Sequence, residues 1–344
     1  MDEGTTFALE NIDQKKKEIR MKRTHVLISV LVLVALVLSA CATATPTAAP
    51  EQAQAKTFKI GMANFSQCCA YFIGMNKAVI DEASAYPNVE IISTDANADA
   101  AKLNSDIEDL IAKKVDGVII SGAWLEQLPA AMDSLKKAGI PTVLVDRQWK
   151  GEYTSYVGPE NFKIGQQNGQ YIVDRLGGQG TLVVLKGGPA DNSIGLNRTN
   201  GMLDIVGKVT GITVINAPDF GGWSEDGGLK QMENLLAANS KIDAVFCEND
   251  SMCLGAQRAI ADAGRTAEMF LCGVDGQKEA LAQIKNNSNY ACTGLNNSDQ
   301  IGRAGFNRMM AILAGATPPK DTYLPSPLIT IDNVLKYFDP NSLF

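Results

Sequence analysis

Histidine is nearly absent from this 344-residue chain: the single copy is His25. It lies in a stretch built like a secretory signal peptide, with Lys22 and Arg23 ahead of an apolar run from Val26 to Leu38 and small residues before Cys41. Cleavage there leaves no histidine, which excludes a histidine general base, Ser–His or Cys–His pairs and histidine metal ligands. The cysteines contain no CxxC spacing, so a zinc pattern is missing too, and neither metal nor cofactor is expected. Positive charge is also short. Against 38 acids stand 31 bases, a net charge of -7, and that balance speaks against a nucleic-acid partner. No apolar run approaches the roughly 20 residues of a membrane span.

What is present is an ordinary globular balance, 45% apolar and 20% charged, in a chain long enough for two domains. Residues 1–40 read as an upstream extension and signal peptide, with the natural start expected at Met21. Leu38-Ser39-Ala40-Cys41 resembles the lipobox of bacterial lipoproteins, so Cys41 is expected to carry a lipid and to hold the protein outside the cytoplasm at the membrane. Residues 41–56, small and Pro-containing, read as a flexible tether. Of the remaining cysteines, Cys247, Cys272 and Cys292 fall in strand-like runs and are expected as buried free thiols. Cys68-Cys69 is a vicinal pair in a loop, free or bridged.

From Thr57 short apolar runs alternate with helical spacing. Strands are expected at Lys59–Ala63, Val89–Ser93, Val115–Ser121 and Pro141–Val145, with helices at Tyr71–Ala85, Asp99–Lys114 and Leu125–Ala138. The pattern restarts at Gly180–Leu185 and runs through Ala244–Cys247, Phe270–Val274 and Tyr290–Thr293. Near-continuous apolar strands between amphipathic helices indicate parallel sheets covered on both faces. The expected architecture is α/β: two doubly wound parallel-sheet lobes joined by a hinge, 57–159 plus 297–323 and 160–296 plus 324–344.

Ligands of such sheets bind beyond the carboxyl ends of the strands. Those ends carry Asp146-Arg147, Asn249, Asp275 and Asn296, with Tyr71, Phe72 and Trp223 as neighbouring aromatics. Carboxylates accept from paired hydroxyls, Arg donates in a fixed fork, amides do both, and rings stack on C–H faces; together these suit a sugar. The same residue types also serve as caps and turn formers, and aromatics as core. Asp250 is read as the cap of a helix opening at Ser251 and is set aside.

At these residues the sequence resembles the ribose-type family of periplasmic sugar-binding proteins, with the type I periplasmic binding protein fold, over about residues 57–335. The most specific stretches are Ile140-Pro141-Thr142-Val143-Leu144-Val145-Asp146-Arg147, the run from Asp243 to Met252, and Gly273-Val274-Asp275-Gly276. The resemblance implies that Asp146 and Arg147 bind ring hydroxyls, that Arg198 is the cleft arginine of the second lobe and that Asn249 and Asp275 make the next polar contacts. It implies too that Trp223 stacks on the sugar and that Asn296 lies at a hinge crossing. It also implies that the ligand passes to the permease of an ABC importer; the protein is expected to be a monomer. The first loop departs from the family: Gln67-Cys68-Cys69-Ala70-Tyr71-Phe72 keeps the aromatics but lacks the usual Asn and Pro. A lipoprotein sensor serving a membrane receptor, or an enzyme using Asp146 and Asp275 as paired carboxylates, are the rival readings.

Overall fold

The computed structural model describes Met21 and residues 56–122, 125–188 and 194–344. Apart from Met21 and Lys56, the segments expected as signal peptide and tether, with Cys41, lie outside the described residues. In Lys56–Phe344 the chain runs β1 (Phe58–Asn64), α1 (Ala70–Ala83), β2 (Val89–Asp95), α2 (Ala100–Ala112), β3 (Gly117–Ser121), α3 (Pro129–Lys137), β4 (Thr142–Val145) and β5 (Ser155–Pro159). It continues with α4 (Asn161–Leu176), β6 (Gly180–Leu185), α5 (Gly195–Val206), β7 (Ile212–Asn216), α6 (Glu225–Ala238), β8 (Ala244–Cys247) and α7 (Asp250–Asp262). Then come β9 (Phe270–Asp275), α8 (Lys278–Lys285), β10 (Tyr290–Leu295), α9 (Ser298–Leu313), β11 (Asp321–Leu324) and β12 (Leu328–Thr330).

Two six-stranded sheets result. The first has the order β11-β5-β4-β3-β1-β2 and is parallel throughout. The second has the order β12-β10-β9-β8-β6-β7, with only β12 antiparallel. In each, the connections reverse direction after the first two strands, which puts helices on both faces and a switch point at the carboxyl edge. β3, β4 and β8 are buried along their whole length, as strands covered on both faces must be. Alternation along β1 divides its side chains: Ile60 and Met62 pack with α1 and α9, whereas Ala63 packs with α2 and α3. These are the two α/β lobes expected from the sequence. The chain passes between the sheets at 159–161, 295–298 and 324–328.

The structure changes several local expectations. The segment 125–138 is not one helix: a 3-10 turn covers Leu125–Gln127, and α3 starts afresh at Pro129, whose ring disfavours helical backbone at Leu128. β5 and β11 were not legible, being short, polar or interrupted by Gly and Pro. Asp250 does not cap α7; the Asn249 side chain does so, accepting from Met252 N at 3.0 Å. Cys247 is not a free thiol but is disulfide-bonded to Cys253. α7 opens directly after β8, so its first turn brings residue 253 back to the strand end, with a Cα separation of 5.4 Å that suits a bridge. Cys272 and Cys292 are free and buried, whereas Cys68 and Cys69 are free and exposed.

Candidate functional site

Three of the expected site residues hold the backbone at positive φ: Asp146 at 69°, Trp223 at 61° and Asp275 at 125°. Non-glycine residues adopt such angles uncommonly, and functional sites are among the places that collect them; Asn97, Ala98, Lys114 and Asn287 do so outside the site. At the end of β4, Asp146 N donates to the Val157 carbonyl at 3.2 Å. Its own carbonyl accepts from the Tyr156 hydroxyl at 3.2 Å. At the end of β9, the Asp275 carbonyl accepts from Asn296 N at 2.9 Å. Both carboxylates are thereby aimed past their strand ends.

Between them runs a buried polar chain. The Tyr71 hydroxyl, from the first turn of α1, donates to Asp146 Oδ1 at 2.6 Å. The same hydroxyl accepts from Asn296 Nδ2 at 2.8 Å. Asn296 Nδ2 also donates to Asp275 Oδ1 at 3.1 Å, and Arg198 Nη2 pairs with that oxygen at 2.9 Å. The chain starts in the first lobe and ends in the second. Asp146, Arg198 and Asn296 are each no more than 3% exposed. Asn296 Oδ1 has no hydrogen-bond partner among the described residues.

Arg198 is held from three sides. Its Nε donates to Asn161 Oδ1 at 2.9 Å and its Nη1 to the Glu248 carbonyl at 2.6 Å. Glu248, nearly fully buried, accepts from Thr199 Oγ1 at 2.6 Å and from Gly187 N at 2.7 Å. Asn161 and Glu248 were missed as site residues. The available signal was Glu248 itself, an acid directly after an apolar strand and beside Asn249.

The other expected residues line the same region in supporting positions. Arg147 is buried next to Asp146, where its charge favours the carboxylate. Phe72 packs on Gly122, where any Cβ would come within 2.6 Å of the ring. The Trp223 indole lies on Gly187 and Gly195. Asn249 caps α7 and donates to the Trp223 carbonyl at 3.1 Å, so its amide first of all fixes the tryptophan turn.

Burial governs the electrostatics. It pushes Asp275 up to about 7, against the pull of Arg198. Burial likewise raises Asp146, opposed by the Tyr71 hydrogen bond and the Arg147 charge. Tyr71 is raised well above the usual phenol range by burial and then by the Asp146 and Asp275 charges. Among the described residues no group of three His, Cys, Asp or Glu could hold a metal ion. Two acids facing two arginines in a shielded site suit a neutral ligand rich in hydroxyl groups.

A family model described as "Periplasmic binding protein domain" matches residues 60–317. The chain belongs to the periplasmic binding protein family. It is 31% identical to the xylitol-binding protein of Mycolicibacterium smegmatis over 289 residues, 83% of this chain and 81% of the relative. It is also 31% identical to the ribose import binding protein RbsB of Bacillus subtilis, over 80% of this chain and 88% of the relative. A solved ABC transporter solute-binding protein from Mycobacterium smegmatis, with bound glycerol, superposes with a TM-score of 0.78 at 27% identity, over 83% of this chain and 98% of that one. The periplasmic fructose-binding domain of a hybrid two-component system is 28% identical with a TM-score of 0.73, over 81% of this chain and 92% of that one. The fold is therefore the type I periplasmic binding protein fold. This binding protein is a solute carrier rather than an enzyme, and its family works outside the cytoplasm. Among the described residues no helix is long and apolar enough to cross a membrane.

Proposed function

We propose that this binding protein captures a neutral monosaccharide or small polyol between its two lobes and delivers it to the permease of an ABC importer. The buried chain from Asp146 through Tyr71, Asn296 and Asp275 to Arg198 carries this reading. It supplies acceptors, donors and the spare Asn296 Oδ1 acceptor from both lobes at once. Asp146, Arg147, Arg198, Asp275 and Asn296 bind hydroxyls. Trp223, Phe72 and Tyr71 form the apolar walls, and Asn249 contributes through the tryptophan turn.

The three crossings between the sheets act as the hinge, dividing the chain near 159, 296 and 324. Ligand shifts the equilibrium to the closed form by its greater affinity for that form. A lipid on Cys41 keeps the protein, as a monomer, beside its permease.

A thermal-shift screen of the domain from Lys56 onward against pentoses, hexoses and polyols tests the proposal. A ligand at about a thousandfold excess over Kd stabilises by about 4 kcal/mol, a shift of several degrees. Loss of that shift in Asp146→Ala and Arg198→Ala would place the ligand in this cleft; no shift with any such compound would exclude a sugar or polyol. The likeness to a two-component system's fructose-binding domain favours a second reading, in which the liganded form is presented to a membrane receptor. Co-purification with an ABC permease or with a receptor kinase separates the two.

A further inference from the structure

The segment after β12 runs from one lobe to the other beside the cleft. Val334 and Tyr337 pack into the core of the second lobe. Lys278, the first residue of α8, donates to the Ser342 carbonyl at 2.7 Å and ties the segment there. Two residues later Phe344 joins the first lobe, packing against the cluster that holds Tyr71, Met75 and Phe306.

The partner of Phe344 is Tyr71 itself. The two rings meet edge to face, with centroids 5.0 Å apart and planes at 79°. Phe72 makes a similar contact with Tyr71, at 5.2 Å and 85°. The tyrosine ring is thus gripped by two aromatic edges while its hydroxyl makes bonds of 2.6 and 2.8 Å. Such contacts favour one relative orientation and resist rotation away from it. Phe344 also borders a cavity of about 410 Å³ lined in part by Gly74, Lys77, Lys278, Asn297 and Arg303. Removing its ring would therefore enlarge an existing space.

We propose that Phe344 is a positioning residue for ligand capture. By closing on Tyr71 it fixes the direction of the hydroxyl toward Asp146 and Asn296. Because its segment is rooted in the second lobe, that direction holds only when the lobes are together. The phenylalanine couples lobe closure to the geometry of the first lobe's binding wall. This inference rests on reading the cleft as the ligand site.

The test is a double-mutant cycle on the full domain from Lys56 onward, using Phe344→Ala, Tyr71→Phe and the pair, with Phe344→Leu as the conservative variant. Affinity for the sugar or polyol found in the screen is measured by calorimetry. The Tyr71 resonance is followed by NMR of the protein labelled with ¹³Cζ-tyrosine. Phe344→Ala is expected to weaken binding about tenfold in the Tyr71 background, the scale of a lost aromatic pair. The effect should shrink to less than about threefold once the Tyr71 hydroxyl is gone. Phe344→Leu should recover part of the affinity and shift the Tyr71 resonance less than Phe344→Ala does. An equal loss in both backgrounds, or an unmoved Tyr71 resonance, overturns the proposal. If no sugar or polyol binds the unmodified protein, a displaced Tyr71 resonance in Phe344→Ala still supports the positioning role, while the ligand assignment falls.

Discussion

A single hydroxyl, that of Tyr71, donates to Asp146 and accepts from Asn296, and so joins the end of β4 in the first lobe to the crossing that leads out of the second sheet. On the proposed reading, the ligand site and the hinge share this atom, so a change at one is expected to be felt at the other.

Arg198 ties three buried partners together. Arg198→Ala strips the partner from Asp275 and leaves a buried carboxylate, with the Glu248 carbonyl and Asn161 Oδ1 also losing a donor. A loss of about 3–5 kcal/mol is expected, the scale of breaking a buried pair on one side. Arg198→Lys should recover little, since one ammonium cannot reproduce a three-way fork. Urea unfolding of both variants checks this, and a loss under about 1 kcal/mol would mean that the fork is not sustained in solution.

The raised acids set a pH dependence. Asp275, ordinarily near 3.8 and here about 7, keeps a proton in the folded chain that the unfolded chain has released. Between those values the folded state binds more protons, so this group's contribution to stability falls as pH rises from about 4 to 7. Asp146 and Asp250 are raised by burial and act in the same direction. Ligand binding should run the opposite way, because hydroxyl donors favour the ionised form: affinity rises and protons are released as pH goes from 5.5 to 7.5. Calorimetry in buffers of different ionisation enthalpy reads the proton count, and Asp275→Asn should flatten both curves.

Glycine makes room for the tryptophan. A Cβ at Gly187 would stand 2.2 Å from the indole of Trp223, and one at Gly195 would stand 2.4 Å from Glu248 Oε2 and 3.0 Å from the indole. Gly187→Ala must push the ring aside. A cost of about 1–3 kcal/mol, typical of overpacking, is expected together with a changed tryptophan emission and weaker ligand binding. Unchanged emission and affinity would show that the indole does not lie on Gly187 in solution.

The cysteines divide by access. Cys68 should react first with a thiol reagent in the folded protein, Cys69, whose thiol burial pushes up to about 11, more slowly, and Cys272 and Cys292 only on unfolding. Cys247 and Cys253 should remain unreactive until reduced. Mass spectrometry of labelled peptides counts each class. Fast native labelling of Cys272 would contradict its burial.

Much of this was written in the chain. The apolar runs and their helical intervals fixed two doubly wound lobes, because a strand covered on both faces must be apolar throughout and a crossover helix must carry one apolar face. The strand ends likewise exposed Asp146, Asp275 and Asn296 to inspection, since that edge is where such sheets bind. Tertiary structure alone decided the rest. Whether Asn249 or Asp250 caps α7 depended on where the helix turned in. The Cys247–Cys253 bridge depended on how closely that turn folds back on β8. Glu248, Asn161 and Phe344 gained their roles from residues 37 to 273 positions away, Thr199 and Arg198 for the first two and Tyr71 for the last. Local pattern can state which side chains a sheet edge offers. Only the packed chain determines which of them meet, because hydrogen bonds and ring contacts are set by distance in space and not by distance in sequence.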